Sequence, residues 1–161
     1  MKKVVLSLGA LLLVWAAVAF AQPPAMPPMG GMGWGMGSSY NRMYDTSTVE
    51  TLKGEVISVE PFSLMGAKME PRPMPMHRGH QGIHLMLKTD KESISVHLGP
   101  SWFIENQDMQ IMPKDTIEVK GSRITFSEKP AIIAAEVVKG ESVLTLRSES
   151  GVPVWVGWRK R

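Results

Sequence analysis

The chain has 161 residues, of which 43% are hydrophobic and 7% aromatic, with 18 Lys and Arg against 15 Asp and Glu. It contains no cysteine, which excludes disulfide staples, thiolate metal ligands, covalent haem attachment and thiol catalysis together. Removing Lys2 and Lys3 with a leader lowers the basic count from 18 to 16 against 15 acids, so a formal charge of +1 remains and no broad field for nucleic acid is indicated.

Lys2 and Lys3 precede an apolar run from Val4 to Phe20, and Ala19-Phe20-Ala21 supplies the small-x-small pattern of a signal peptidase site. The apolar run is shorter than the ~20 residues that a spanning helix needs. The expectation is an exported, periplasmic protein whose signal peptide, residues 1–21, is cleaved after Ala21. Residues 22–48 open with QPPAMPPMGGMGWGMGSS, in which Met26, Met29, Met32 and Met36 recur among prolines and glycines. Such a tract has no helical or strand period and too little apolar surface to offset its ordering entropy, so it reads as a flexible arm that the rest does not need for folding.

Regular structure is expected from Val49 to Arg147. In Val49–Glu60, Leu52, Gly54 and Val56 hold one phase and Ile57 and Val59 the other; a phase change beside a glycine predicts a bulged, curved strand. Residues 61–82 form a Met- and His-rich insertion. Ile83–Thr89 and Ser93–Leu98 alternate on either side of Asp90-Lys91, predicting a hairpin with Leu85 and Leu87 on the same face as Ile94, Val96 and Leu98. Pro100, Trp102 and Phe103 predict a helical turn with aromatic plugs. Thr116–Lys120, with Ile117 and Val119 inward, is predicted to end at Gly121-Ser122. Arg123–Phe126, Ala131–Lys139 and Ser142–Arg147 are further strands. The class is all-β: a small OB-fold-like Greek-key barrel of five or six strands with one short helical element, preceded by a disordered arm.

The runs LKGEVISVE, HLMLKTDKESISVHLGPSWF, KDTIEVKGSRIT and PAIIAAEVVKGE resemble exported bacterial OB-fold proteins, including the C-terminal domain of the magnetosome MamS and MamX proteins. The resemblance spans roughly Val49 to Arg147 and implies a periplasmic barrel near redox or metal systems. The chain departs from the MamX type, which carries haem-attachment motifs, because it has no cysteine.

If Asp90-Lys91 is the turn, residues whose numbers sum to 181 face each other, which pairs Leu85 with Val96, Leu87 with Ile94 and His84 with His97. Both histidines then fall on the outward face, ~4.5 to 5.5 Å apart at Cβ, with Met86 two residues along. All four histidines lie between Met65 and His97, together with Met65, Met69, Met74, Met76 and Met86. Imidazole with thioether sulfur suits copper, and the methionines favour it over zinc. The predicted metal ligands are His84 and His97 as a rigid anchor, joined by His77, His80, Met86, Met74 and Met76, with copper as the cofactor. The alternative is a Met- and Pro-filled loop beside a solvated sheet face.

Residues 148–161 form a Trp-containing basic tail, with Trp155 and Trp158 before Arg159, Lys160 and Arg161. It reads either as a peripheral contact for membrane or an acidic partner, or as an edge strand packing Val152, Val154 and Val156 on the barrel. The hairpin's outward positions hold no stacking aromatic, which ranks nucleic acid third as a partner. Glu105 and Asp108 read as a solvated loop, and nothing assembles a nucleophile, base and orienting acid. The functional expectation is a non-enzymatic periplasmic module that binds copper or assists an envelope metal or electron-transfer system, the alternative being a docking module for protein or membrane.

Overall fold

The computed structural model describes residues 33–64 and 81–158. Six strands follow in chain order: β1 (Val49–Ser63), β2 (Gln81–Lys88), β3 (Ser93–Pro100), β4 (Thr116–Phe126), β5 (Lys129–Lys139) and β6 (Ser142–Thr145). A single helical turn, α1 (Ser101–Ile104), separates β3 from β4. The sheet order is β3-β2-β1-β4-β5-β6, and a parallel β3–β5 pairing joins its ends into a ring, leaving β6 on the outside of β5. This is the predicted OB-fold-like barrel.

The ring closes because β1 serves two neighbours. Its first half, Val49 to Glu55, pairs with β4, and its second half, Glu55 to Ser63, pairs with β2. Gly54 stands at the crossing, where a Cβ would collide with the carbonyl of Lys88. The predicted phase change is a bulge at Ile57, between Val56 paired to Leu87 and Ser58 paired to Met86. The bulge turns Ile57 outward and keeps Val56 in the core.

The predicted hairpin register holds: Leu85 pairs with Val96, Leu87 with Ile94 and His84 with His97. The barrel interior is filled by Leu85, Leu87, Ile94, Val96, Leu98, Ile117, Val119, Ile132 and Val137. One predicted break is absent. Gly121-Ser122 does not end a strand, because β4 accommodates it as a register shift between Lys120 and Gly121 and runs on to Phe126. Ser127 and Glu128, at φ of 49° and 65°, make the tight turn into β5.

Candidate functional site

The outer face of the hairpin carries Glu60 and Phe62 on β1, His84 and Met86 on β2, and Ser95 and His97 on β3, alternating with the buried interior residues. Three of these lie in one row across the strands, since Glu60 pairs with His84 and His84 with His97. The two imidazoles stand 6.0 Å apart between centroids with planes at 70°.

Their predicted common exposure does not hold. His97 is 2% exposed, because the residues before β1 cover this end of the hairpin. Tyr40 stacks on it with centroids 5.9 Å apart, and the Tyr40 hydroxyl shares a 3.0 Å hydrogen bond with His97 Nδ1. Phe62 and Phe126 complete the enclosure at 4.4 and 4.9 Å. Burial, and secondarily the neighbouring His84, lower the His97 pKa to about 3, so the ring is neutral across physiological pH. His97 is thereby packed within an aromatic cluster, away from solvent.

His84 is only partly buried, with Phe62 at 5.4 Å on one side. Its Nδ1 is 2.8 Å from Ser95 Oγ. Partial burial lowers its pKa, and the opposed Glu60 carboxylate acts in the other direction.

The segment that covers His97 was expected to belong to a flexible arm reaching residue 48. From Trp34 onward it is instead built onto the barrel. Trp34 is buried, with ring centroids 5.0 Å from Tyr40 and 5.9 Å from both Phe62 and Trp155. Its carbonyl accepts hydrogen bonds from Asn41 Nδ2 and Trp155 Nε1, both at 3.0 Å. Gly82 lies beneath the indole, where any Cβ would strike Trp34 and Phe62. Arg147 Nη2 donates to Asn41 Oδ1 at 2.6 Å and Nη1 to the Gly151 carbonyl at 3.1 Å, while the guanidinium lies 5.1 Å from the rings of Tyr44 and Trp155. Burial lowers the Arg147 pKa to about 10, against the pull of Tyr40 and Tyr44. The aromatic surface buried by Trp34 and Tyr40 outweighs the entropy that the Pro/Gly composition suggested.

The C-terminal segment also differs from expectation. Val154–Val156 is a 3-10 turn, and it inverts the predicted packing: Trp155 is buried, while Val152, Val154 and Val156 are 40%, 36% and 47% exposed. Trp158 rests against Trp102 and Phe103 at 5.8 and 5.5 Å. The indoles win the interior because each buries more area than a valine and Trp155 N–H finds the Trp34 carbonyl. Trp155 is therefore a core side chain, packed between Trp34 and Phe103.

Of the predicted metal ligands, His84 and Met86 share the hairpin's outer face, and His97 lies beside them under Tyr40. His77, His80, Met74 and Met76 lie outside the described residues, as do residues 159–161 and residues 1–21, where the signal peptide was expected. Among the described residues no group of three or more His, Asp or Glu is placed to hold a metal ion. Glu60, Ser95 and Tyr40 were not singled out from sequence. The β1–β2 register that brings Glu60 to His84 depends on the Ile57 bulge and spans the insertion. A tryptophan and a tyrosine beside the glycine-rich tract were the available sign that the segment docks.

No curated protein matches this chain. A family model, that of the MamS/MamX magnetosome protein family, matches residues 48–144, from the start of β1 into β6. With the barrel just described accounting for nearly all of that match, the chain belongs to the MamS/MamX magnetosome protein family.

Proposed function

We propose that the protein is a non-enzymatic, periplasmic binding module that takes up copper at the rim of the barrel carrying His84. One observation supports this above the others. Trp34 sits on Phe62 and Gly82, and Ser63 pairs with Gln81. Trp34, Ser63 and Gln81 thus lie along one rim, beside Phe62, whose ring is 5.4 Å from that of His84. The sequence before Trp34 holds Met26, Met29 and Met32, and the sequence between Leu64 and Gln81 holds Met65, Met69, Met74, Met76, His77 and His80. A sequence this rich in thioether and imidazole groups, adjoining these points of the fold, suits copper. His84 is the ligand that the barrel holds rigid, which lowers the ordering cost of binding, and His97 supports its ring by packing.

The test is titration of the mature protein, starting at Gln22, with Cu(I), Cu(II), Zn(II) and Ni(II). Copper should bind most tightly, and His84→Ala should weaken it by roughly tenfold or more, since even outer partners of metal ligands are worth 10- to 100-fold. Copper binding no tighter than that of zinc and nickel, or unchanged in the variant, would overturn the reading. Intact-mass analysis of the envelope fraction tests export, which a species retaining residues 1–21 would contradict.

A second reading, a docking module, draws support from the ridge of exposed Val152, Val154 and Val156, beyond which the sequence continues Arg159, Lys160 and Arg161. Apolar surface flanked by basic residues suits an anionic lipid face. Co-sedimentation with anionic vesicles, lost when the three valines become serine, would favour it.

A further inference from the structure

We infer that the barrel itself supplies a nitrogen–oxygen half-site for Cu(II), formed by His84 Nε2 and the Glu60 carboxylate, with the Ser95 hydroxyl aiming the imidazole. This rests on the copper reading and goes on to name the oxidation state that these residues select.

Glu60 and His84 are direct register partners on antiparallel strands and stand on the same outer face. Side chains so opposed are ~4.5 to 5.5 Å apart at Cβ, a span that one ion can bridge with a carboxylate oxygen and a ring nitrogen. Glu60 is exposed, and its carboxylate is not spent on an ion pair: among the described residues the salt bridges join Arg123 to Glu50 and Glu92, and Lys139 to Asp115. Ser95 Oγ, 2.8 Å away, occupies Nδ1 of His84, so Nε2 is the ring nitrogen left to meet an ion. A ligating histidine that passes its second ring nitrogen to a fixed partner is held in one tautomer and one orientation. Phe62 against the ring limits its rotation further.

Imidazole nitrogen with carboxylate oxygen suits Cu(II), whereas thioether sulfur suits Cu(I). Two donors do not complete a coordination sphere, and water fills the remaining positions when this half-site acts alone. Its contribution is selectivity: removing the carboxylate should cost Cu(II) affinity and leave Cu(I) nearly untouched.

The experiment uses the mature chain titrated with Cu(II) in air and with Cu(I) under reductant without oxygen, for wild type, Glu60→Gln, Ser95→Ala and Ser95→Thr. Glu60→Gln is expected to weaken Cu(II) by about tenfold while Cu(I) affinity changes less than about twofold. Ser95→Ala should weaken Cu(II) several-fold and shift the tautomer balance of His84 in long-range nitrogen–proton NMR of the metal-free protein. Ser95→Thr, which keeps the hydroxyl on a β-branched residue suited to a strand, should restore both. Unchanged Cu(II) affinity in Glu60→Gln, with copper still bound by wild type, overturns the half-site and leaves the copper reading standing. Failure of wild type to bind either ion overturns both. An unchanged His84 tautomer in Ser95→Ala removes the positioning role of Ser95 whatever the metal does.

Discussion

Trp34→Ala tests whether the segment before β1 is structural. The indole is 5% exposed and touches Tyr40, Phe62 and Trp155. A buried tryptophan removes on the order of 200 Å² from water, worth about 5 kcal/mol at ~25 cal/mol per Å². Against this, Trp34 Nε1 is buried without a hydrogen-bond partner among the described residues, at a cost of about 1 to 2 kcal/mol. The net loss on truncation to alanine is then about 3 kcal/mol, at the lower edge of what Trp-to-Ala changes cost in cores. Trp34→Phe should cost only ~1 kcal/mol, because the smaller ring loses area but removes the orphaned N–H. The assay is urea denaturation of the chain from Gln22 onward, followed by tryptophan fluorescence and by circular dichroism. A Trp34→Ala loss below about 1 kcal/mol would refute the reasoning and return residues 33–48 to the status of a dispensable arm.

Two further outcomes follow from the same cluster. His97 has a folded pKa near 3 against an ordinary value near ~6.5, so the unfolded chain binds the proton more readily; stability is complete above pH ~6.5 and falls by about 1.4 kcal/mol per unit as pH drops toward 3. Unfolding free energies from urea denaturation at pH 7.5 and 5 should therefore differ by about 2 kcal/mol, with a smaller difference in His97→Phe; an equal pH dependence in that variant would show that His84 and the carboxylates set it. Gly82→Val should press on Trp34 and Phe62 and cost about 1 to 3 kcal/mol, and combined with Trp34→Ala it should cost less than the sum of the two, the remainder being the contact with Phe62. Additive losses would show that Gly82 is constrained by something other than the indole.

The alternating interior of the hairpin could be read from sequence because it is a local property: strand period and a two-residue turn fix which residues oppose each other, and Leu85, Leu87, His84 and their partners fell where that arithmetic put them. The bulge at Ile57 was legible for the same reason, as a phase slip beside Gly54. The continuity of β4 through Gly121 was not, since a glycine marks a turn and a bulge alike until the partner strand is known.

Local sequence determined the all-β class, the hairpin register and the closeness of His84 to His97. It could not determine which side of the sheet stayed open. Alternation says only that His97 points away from Leu98; whether water or protein lies there depends on what the rest of the chain brings over it. Tertiary structure decided that Tyr40, more than 50 residues earlier and packed against Trp34, covers His97 and leaves His84 and Glu60 at the rim. It also decided that Trp155 turns in and its flanking valines turn out. In each case the physical reason is burial of large aromatic surface between segments far apart in sequence, a term that no local window contains.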